Sequence, residues 1–204
     1  MPRLRHLVCL LLALGILAPW PWSAPGLIAQ SIATPEVDGH FAGMVDVGGR
    51  MLYFECEGSS SPTVILEAGF RTRADLWSDD LIQPDAPRTM VLPGVAEFTR
   101  VCAYDRPGTA TVRDGELLTS RSDRAPMPRT AEDAVADLHA LLEAASIPGP
   151  YVLVGHSFGG LFMRLYAATY PATVVGMVLV VAVSGALEDE MTTDQWAACD
   201  ARCQ

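Results

Sequence analysis

Apolar residues recur along this chain with two periods, and the changes from one to the other lay out its elements. Segments 44–47 and 51–56 flank Gly48-Gly49, a dipeptide suited to the positive φ angles of a tight hairpin turn, and so predict a β-hairpin. Thr63-Val64-Ile65-Leu66 is a β-branched run, predicted as a core strand, that leads into Glu67-Ala68-Gly69-Phe70. A further strand is predicted over 99–104, ending at Asp105-Arg106-Pro107-Gly108. From 105 to 129, prolines, arginines and threonines interrupt any sustained period, which predicts a long loop. Thr130 then stands as an N-cap with Asp133 at the capping-box position, and Val135, Leu138, Leu141 and Leu142 form the apolar stripe of a helix. Ile147-Pro148-Gly149-Pro150 ends it. Tyr151-Val152-Leu153-Val154 reads as a short buried strand, and 161–170 places apolar residues at helical spacing. The near-continuous apolar run 174–183 predicts a central parallel strand buried on both faces. This alternation gives an α/β class, a mostly parallel sheet with flanking helices.

The N-terminus changes where that domain begins. Arg3, Arg5 and His6 precede an apolar run over 7–18, which Pro19 and Pro21 break. The run is too short to span a bilayer and fits a secretory signal, with Ser31-Ile32-Ala33 or Ala29 as the small-residue cleavage site. The expected organisation is a signal over 1–33, a linker over 34–42 and one domain over 43–204. The expected destination is secretion or the cell envelope, with an uncleaved membrane anchor as the alternative. A net charge of −10, with no basic stripe, argues against nucleic acid as a partner. Cys9 sits too early in the apolar run for a lipoprotein attachment site. Cys56, Cys102, Cys199 and Cys203 remain, an even number that permits disulfides in an exported chain. Cys199 and Cys203 have the spacing of a metal pair but no histidine or further cysteine nearby, so zinc is not implied.

The candidate chemistry lies at Gly155-His156-Ser157-Phe158-Gly159-Gly160, between the strand at 151–154 and the helix at 161–170. A serine in a Gly-x-Ser-x-Gly frame between strand and helix is a nucleophile elbow. Its backbone is strained, and glycines at 155 and 159 let neighbouring chain pack close. The same pattern in an isolated loop would carry no meaning; the flanking elements give it one.

Four blocks resemble the single-domain serine α/β-hydrolases, close to exported actinobacterial members. They are Pro62-Thr63-Val64-Ile65-Leu66-Glu67-Ala68-Gly69, Arg100-Val101-Cys102-Ala103-Tyr104-Asp105-Arg106-Pro107-Gly108, Asp137-Leu138-His139-Ala140-Leu141-Leu142 and the elbow. The resemblance runs over roughly 45–183. It implies an α/β-hydrolase fold, with Ser157 as nucleophile and the backbone N–H groups of Phe70 and Phe158 as the oxyanion hole. Phe70 could equally be an ordinary core aromatic; both hold together, because the donor is backbone. The family's strand order sets the strand at 51–56 beside that at 99–104, and from this a Cys56–Cys102 disulfide is expected. No metal or organic cofactor is implied. Haloalkane dehalogenases and epoxide hydrolases use an aspartate nucleophile where this chain has Ser157, so the resemblance favours ester or related acyl hydrolysis.

One part of the family's constellation is missing. The triad order is Ser, then Asp or Glu, then His, yet no histidine follows Ser157. The position after Val178-Leu179-Val180, where relatives often place an aspartate, is Val181; Glu188, Asp189 and Glu190 come later, on what reads as a solvated helix start. His6 falls in the signal, His40 in the linker and His139 on a helix that covers the sheet. His156 adjoins Ser157, but successive strand positions point to opposite sides. The expectation is a truncated serine hydrolase with the last strands of its fold missing. The rival is a non-catalytic remnant or binding module derived from one. The strand at 174–183 would then be an open edge, and self-association through it is expected.

Overall fold

The computed structural model describes residues 39–113, 115–183 and 192–194. The signal at 1–33, the acidic residues Glu188, Asp189 and Glu190, and the pair Cys199 and Cys203 lie outside the described residues.

The chain enters as a hairpin of β1 (Phe41–Asp46) and β2 (Met51–Glu57), with Phe41 opposite Cys56 and Asp46 opposite Met51. Gly48 and Gly49 both take positive φ (94° and 95°), and Asp46 Oδ1 accepts hydrogen bonds from both of their N–H groups, at 3.0 and 2.7 Å. That turn geometry matches the strand twist and is open to glycine at little cost. The expected linker is shorter than 34–42, because Phe41 and Ala42 already pair with β2.

β3 (Thr63–Glu67) follows, then the short helix α1 (Val91–Ala96) and β4 (Val101–Tyr104). α1 was not expected, because a six-residue segment is too short to show a helical period. Pro93 sits in its first turn, where a missing N–H costs no helical bond, and the Gly94 N–H makes the first such bond, to Met90 O at 3.0 Å. The stretch 105–129 was expected to be loop throughout; instead β5 (Ala110–Arg113) and β6 (Glu116–Thr119) form a separate hairpin. Asp114-Gly115 was its signal, overlooked because four-residue strands show too little alternation to register a period.

α2 (Ala131–Ala144) begins at the expected capping box, in which Thr130 Oγ1 accepts from the Asp133 N–H and Asp133 Oδ2 from the Thr130 N–H. β7 (Tyr151–His156), α3 (Gly159–Thr169) and β8 (Val174–Val180) complete the order. The six-stranded sheet runs β1-β2-β4-β3-β7-β8, antiparallel from β1 to β4 and parallel from there on.

Alternation along the interior strands divides the core between the two faces. Phe54, Ile65, Cys102 and Leu153 meet Leu138, Leu141, Phe162 and Tyr166 of α2 and α3 on one face. Leu66, Val101, Ala103 and Val154 meet Trp77 and Leu92 on the other. β3 and β4 are buried at every position, as a strand covered on both sides must be. β8 departs from its expected burial. Val175 is 61% and Val178 50% exposed, and the strand pairs only with β7 among the described residues. It also ends earlier, at Val180, because Val181 turns to φ +46°. No helix among the described residues is long and apolar enough to cross a membrane.

Candidate active site

Ser157 occupies the turn between β7 and α3 at φ +52°, a left-handed conformation that residues with a Cβ seldom adopt. Three backbone hydrogen bonds hold it there. Its N–H donates to Val180 O at 3.0 Å, and its carbonyl accepts from Gly160 at 3.1 Å and Val183 at 3.0 Å. The flanking glycines are required by space. A Cβ on Gly155 would lie 2.6 Å from Gly160 Cα, and one on Gly159 would lie 2.6 Å from the carbonyl oxygens of both Glu67 and Ala68. The start of α3 therefore sits directly on the end of β3.

The same closeness brings the loop after β3 to the serine. A Cβ on Gly69 would fall 3.2 Å from Ser157 Cβ, and the rings of Phe70 and Phe158 meet edge to face at 6.1 Å. Neither the Phe70 N–H nor the Phe158 N–H has an acceptor among the described residues. The two expected donors and the expected nucleophile are thus brought into one neighbourhood.

A buried ionic network that the sequence reading missed lies beneath that loop. Glu67 is fully buried; one carboxylate oxygen accepts from Arg106 and the other from the Tyr104 hydroxyl at 2.5 Å. Arg106 also donates to the carbonyls of Ala68 (2.6 Å) and Gly69, and its guanidinium stacks 5.0 Å from the Phe162 ring centre. Burial lowers the Arg106 pKa to about 10, which leaves the cation in place at neutral pH. Burial likewise pushes the Tyr104 phenol far above its usual range, so it stays a hydrogen-bond donor. A trans peptide points its carbonyl and its N–H in opposite directions. With the Gly69 carbonyl held on Arg106, the Phe70 N–H faces away from the network. The signal was available: a glutamate closing an apolar strand and an arginine just after another.

Asp105 anchors the next loop. Burial works against its ionised form, but hydrogen bonds from the Arg121 side chain and backbone and from the Ala74 N–H outweigh that and hold its pKa below the usual carboxylate value.

No histidine among the described residues hydrogen-bonds Ser157. His40 is exposed beside Glu57, and His139 stacks on Tyr170 at 3.8 Å with Nδ1 3.2 Å from the Tyr166 hydroxyl. His156 presents its ring to Trp77, edge to face, and its buried Nδ1 has no partner. No group of three His, Cys, Asp or Glu side chains among the described residues could hold a metal ion. The expected Cys56–Cys102 disulfide is present, joining facing residues of β2 and β4.

Two cavities open beside the elbow, of about 200 and 480 Å³, and share Arg106, Pro107, Met127, Phe158 and Phe162 as walls. Ser157 is not itself among the lining residues, whereas its chain neighbour Phe158 and the loop residue Phe70 are.

A family model described as the alpha/beta hydrolase fold matches residues 62–198. The protein YqjL of Bacillus subtilis (strain 168) is 28% identical over 124 residues, 61% of this chain and 41% of its own. Among solved structures, Est816, an N-acyl homoserine lactone degrading enzyme, superposes with a TM-score of 0.57 at 20% identity, covering 78% of this chain and 52% of that one. The haloalkane dehalogenase DatA from Agrobacterium tumefaciens C58 gives 0.53 at 21% identity, covering 71% and 42%. At these identities the structures show a shared fold. The chain spans about 41% of the length of the bacterial relative and about half of each structure.

Proposed function

The chain belongs to the alpha/beta hydrolase fold family, and on that footing we propose that it is the nucleophile-bearing part of a serine hydrolase acting on carboxylic esters or related acyl compounds. The observation that carries this is the strained Ser157, set against two backbone N–H groups that have no acceptor among the described residues. Ser157 Oγ would attack the acyl carbonyl, and the Phe70 and Phe158 N–H groups would receive the oxyanion of the tetrahedral intermediate. By analogy with side-chain donors, each is worth roughly 2.7–4 kcal/mol of transition-state stabilisation. Collapse of the intermediate would expel the alcohol and leave an acyl-enzyme, which water then hydrolyses to the acid. A serine rather than an aspartate at position 157 favours this over the chemistry of the dehalogenase neighbour.

The proton on Ser157 needs an acceptor, and none is within hydrogen-bonding contact among the described residues. The general base and its orienting acid, on this reading, are not among the described residues in contact with Ser157. In a serine hydrolase, removing the base costs about a million-fold in kcat. Hydrolysis of a short-chain activated ester by the 204-residue chain should therefore barely exceed background, and Ser157→Ala should change it little. Robust turnover lost with that substitution would show that the chain carries its own base. Export through the N-terminal segment, and self-association along the apolar outer edge of β8, belong to the same reading. The rival, a binding module with no chemistry, would leave Ser157 inert even when a base is supplied.

A further inference from the structure

Resting on that reading, we propose that Arg71 selects substrates bearing a carboxylate: the ester is a half-ester of a dicarboxylic acid, its apolar chain on the Phe158–Phe162–Met127 wall and its free carboxylate on Arg71. Three observations lead there. Arg71 immediately follows the oxyanion-donor candidate Phe70 and lines the larger cavity. It takes φ +56°, a conformation favouring glycine, so the position keeps a long cationic side chain against a backbone preference. Finally, its guanidinium is aimed but not consumed. Nε donates to Ala110 O at 3.0 Å, while the Nη groups have no partner among the described residues.

The other guanidiniums lining the two cavities are committed. Arg106 is held by Glu67 and two carbonyls, and Arg129 pairs with Asp137 at 2.6 Å. Arg71 alone of the three offers a free edge, and an edge of two N–H donors is complementary to a carboxylate. Phe70, Met127, Phe158 and Phe162 give the same cavity an apolar stretch of wall, which suits a methylene chain between the anion and the ester.

Binding needs neither the serine nor its base, so this is separable from the catalytic reading. Monomethyl adipate and dimethyl adipate, equal in chain length and differing by one charge, are titrated into Ser157→Ala protein by calorimetry or by NMR shift mapping. The half-ester should bind roughly fivefold tighter than the diester, the scale of one partly exposed guanidinium–carboxylate pair. The preference should shrink in half-molar salt and vanish in Arg71→Gln. Arg71→Gly, whose residue suits φ +56°, should melt no lower than the parent and lose the same preference. Equal affinity for the two esters, binding of neither, or a preference that survives in a folded Arg71→Gly would overturn the inference. An Arg71-dependent preference beside an unreactive Ser157 would overturn only the catalytic reading.

Discussion

Replacing Arg106 with alanine is expected to lower the unfolding free energy by about 3–5 kcal/mol, the cost of leaving one partner of a buried ion pair uncompensated. Glu67 is fully buried between β4, β7 and the start of α3, so it cannot turn to water when its cation goes. Its other oxygen keeps only the Tyr104 hydroxyl; the Ala68 carbonyl loses its Arg106 donor, and the Gly69 carbonyl keeps only the Thr72 hydroxyl. For a domain of this size that is roughly a 10 °C fall in melting temperature. Glu67→Gln combined with Arg106→Met should recover part of the loss, because it removes the orphaned charge. The Ala68 carbonyl stays without its donor, so recovery should be incomplete. Urea denaturation of the parent and the two variants checks this. An Arg106→Ala variant within about 1 kcal/mol of the parent would mean that the network does not hold the loop.

Removing the Cys56–Cys102 bond is the second large effect. The two cysteines face each other across β2 and β4, are fully buried, and close a loop with a sequence separation of 46. Loop-closure entropy for a ring of that length gives about 4 kcal/mol, less whatever residual structure the unfolded chain keeps. The double substitution Cys56→Ala and Cys102→Ala should shift the urea midpoint down accordingly. Its m-value should rise slightly, since the unfolded chain becomes more expanded. Reductant without denaturant should leave the parent unchanged, because neither sulfur is open to solvent. Identical urea midpoints with and without reductant would show that the bond contributes nothing. A bond of this kind persists in an oxidising compartment.

What the sequence made legible depended on how locally each feature is determined. Gly48-Gly49, the Thr130–Asp133 box and the glycines around Ser157 each express a constraint set by neighbours a few residues away, and all three are found where expected. The Cys56–Cys102 pairing is not local; it followed from the strand order that the family resemblance implied. The helix α1 and the hairpin of β5 and β6 were missed because each is shorter than a window in which periodicity can show. The Glu67–Arg106–Tyr104 network was missed for a different reason. Two charges that follow apolar strands look like ordinary solvated ends until parallel pairing of β3 with β4 sets them together. The segment 174–183 reads as a covered strand, yet burial belongs to the neighbours, and β7 is its only strand partner among the described residues.

The central proposal is that Ser157 is a nucleophile whose base is not among the described residues. Fluorophosphonate labelling of the chain with and without added imidazole, with the modified residue located by peptide mass spectrometry, tests it most directly. The account predicts slow labelling alone, clear acceleration when imidazole supplies the missing proton acceptor, modification at Ser157, and none in Ser157→Ala. Fast labelling without imidazole, or an imidazole-dependent label on any other residue, would contradict it.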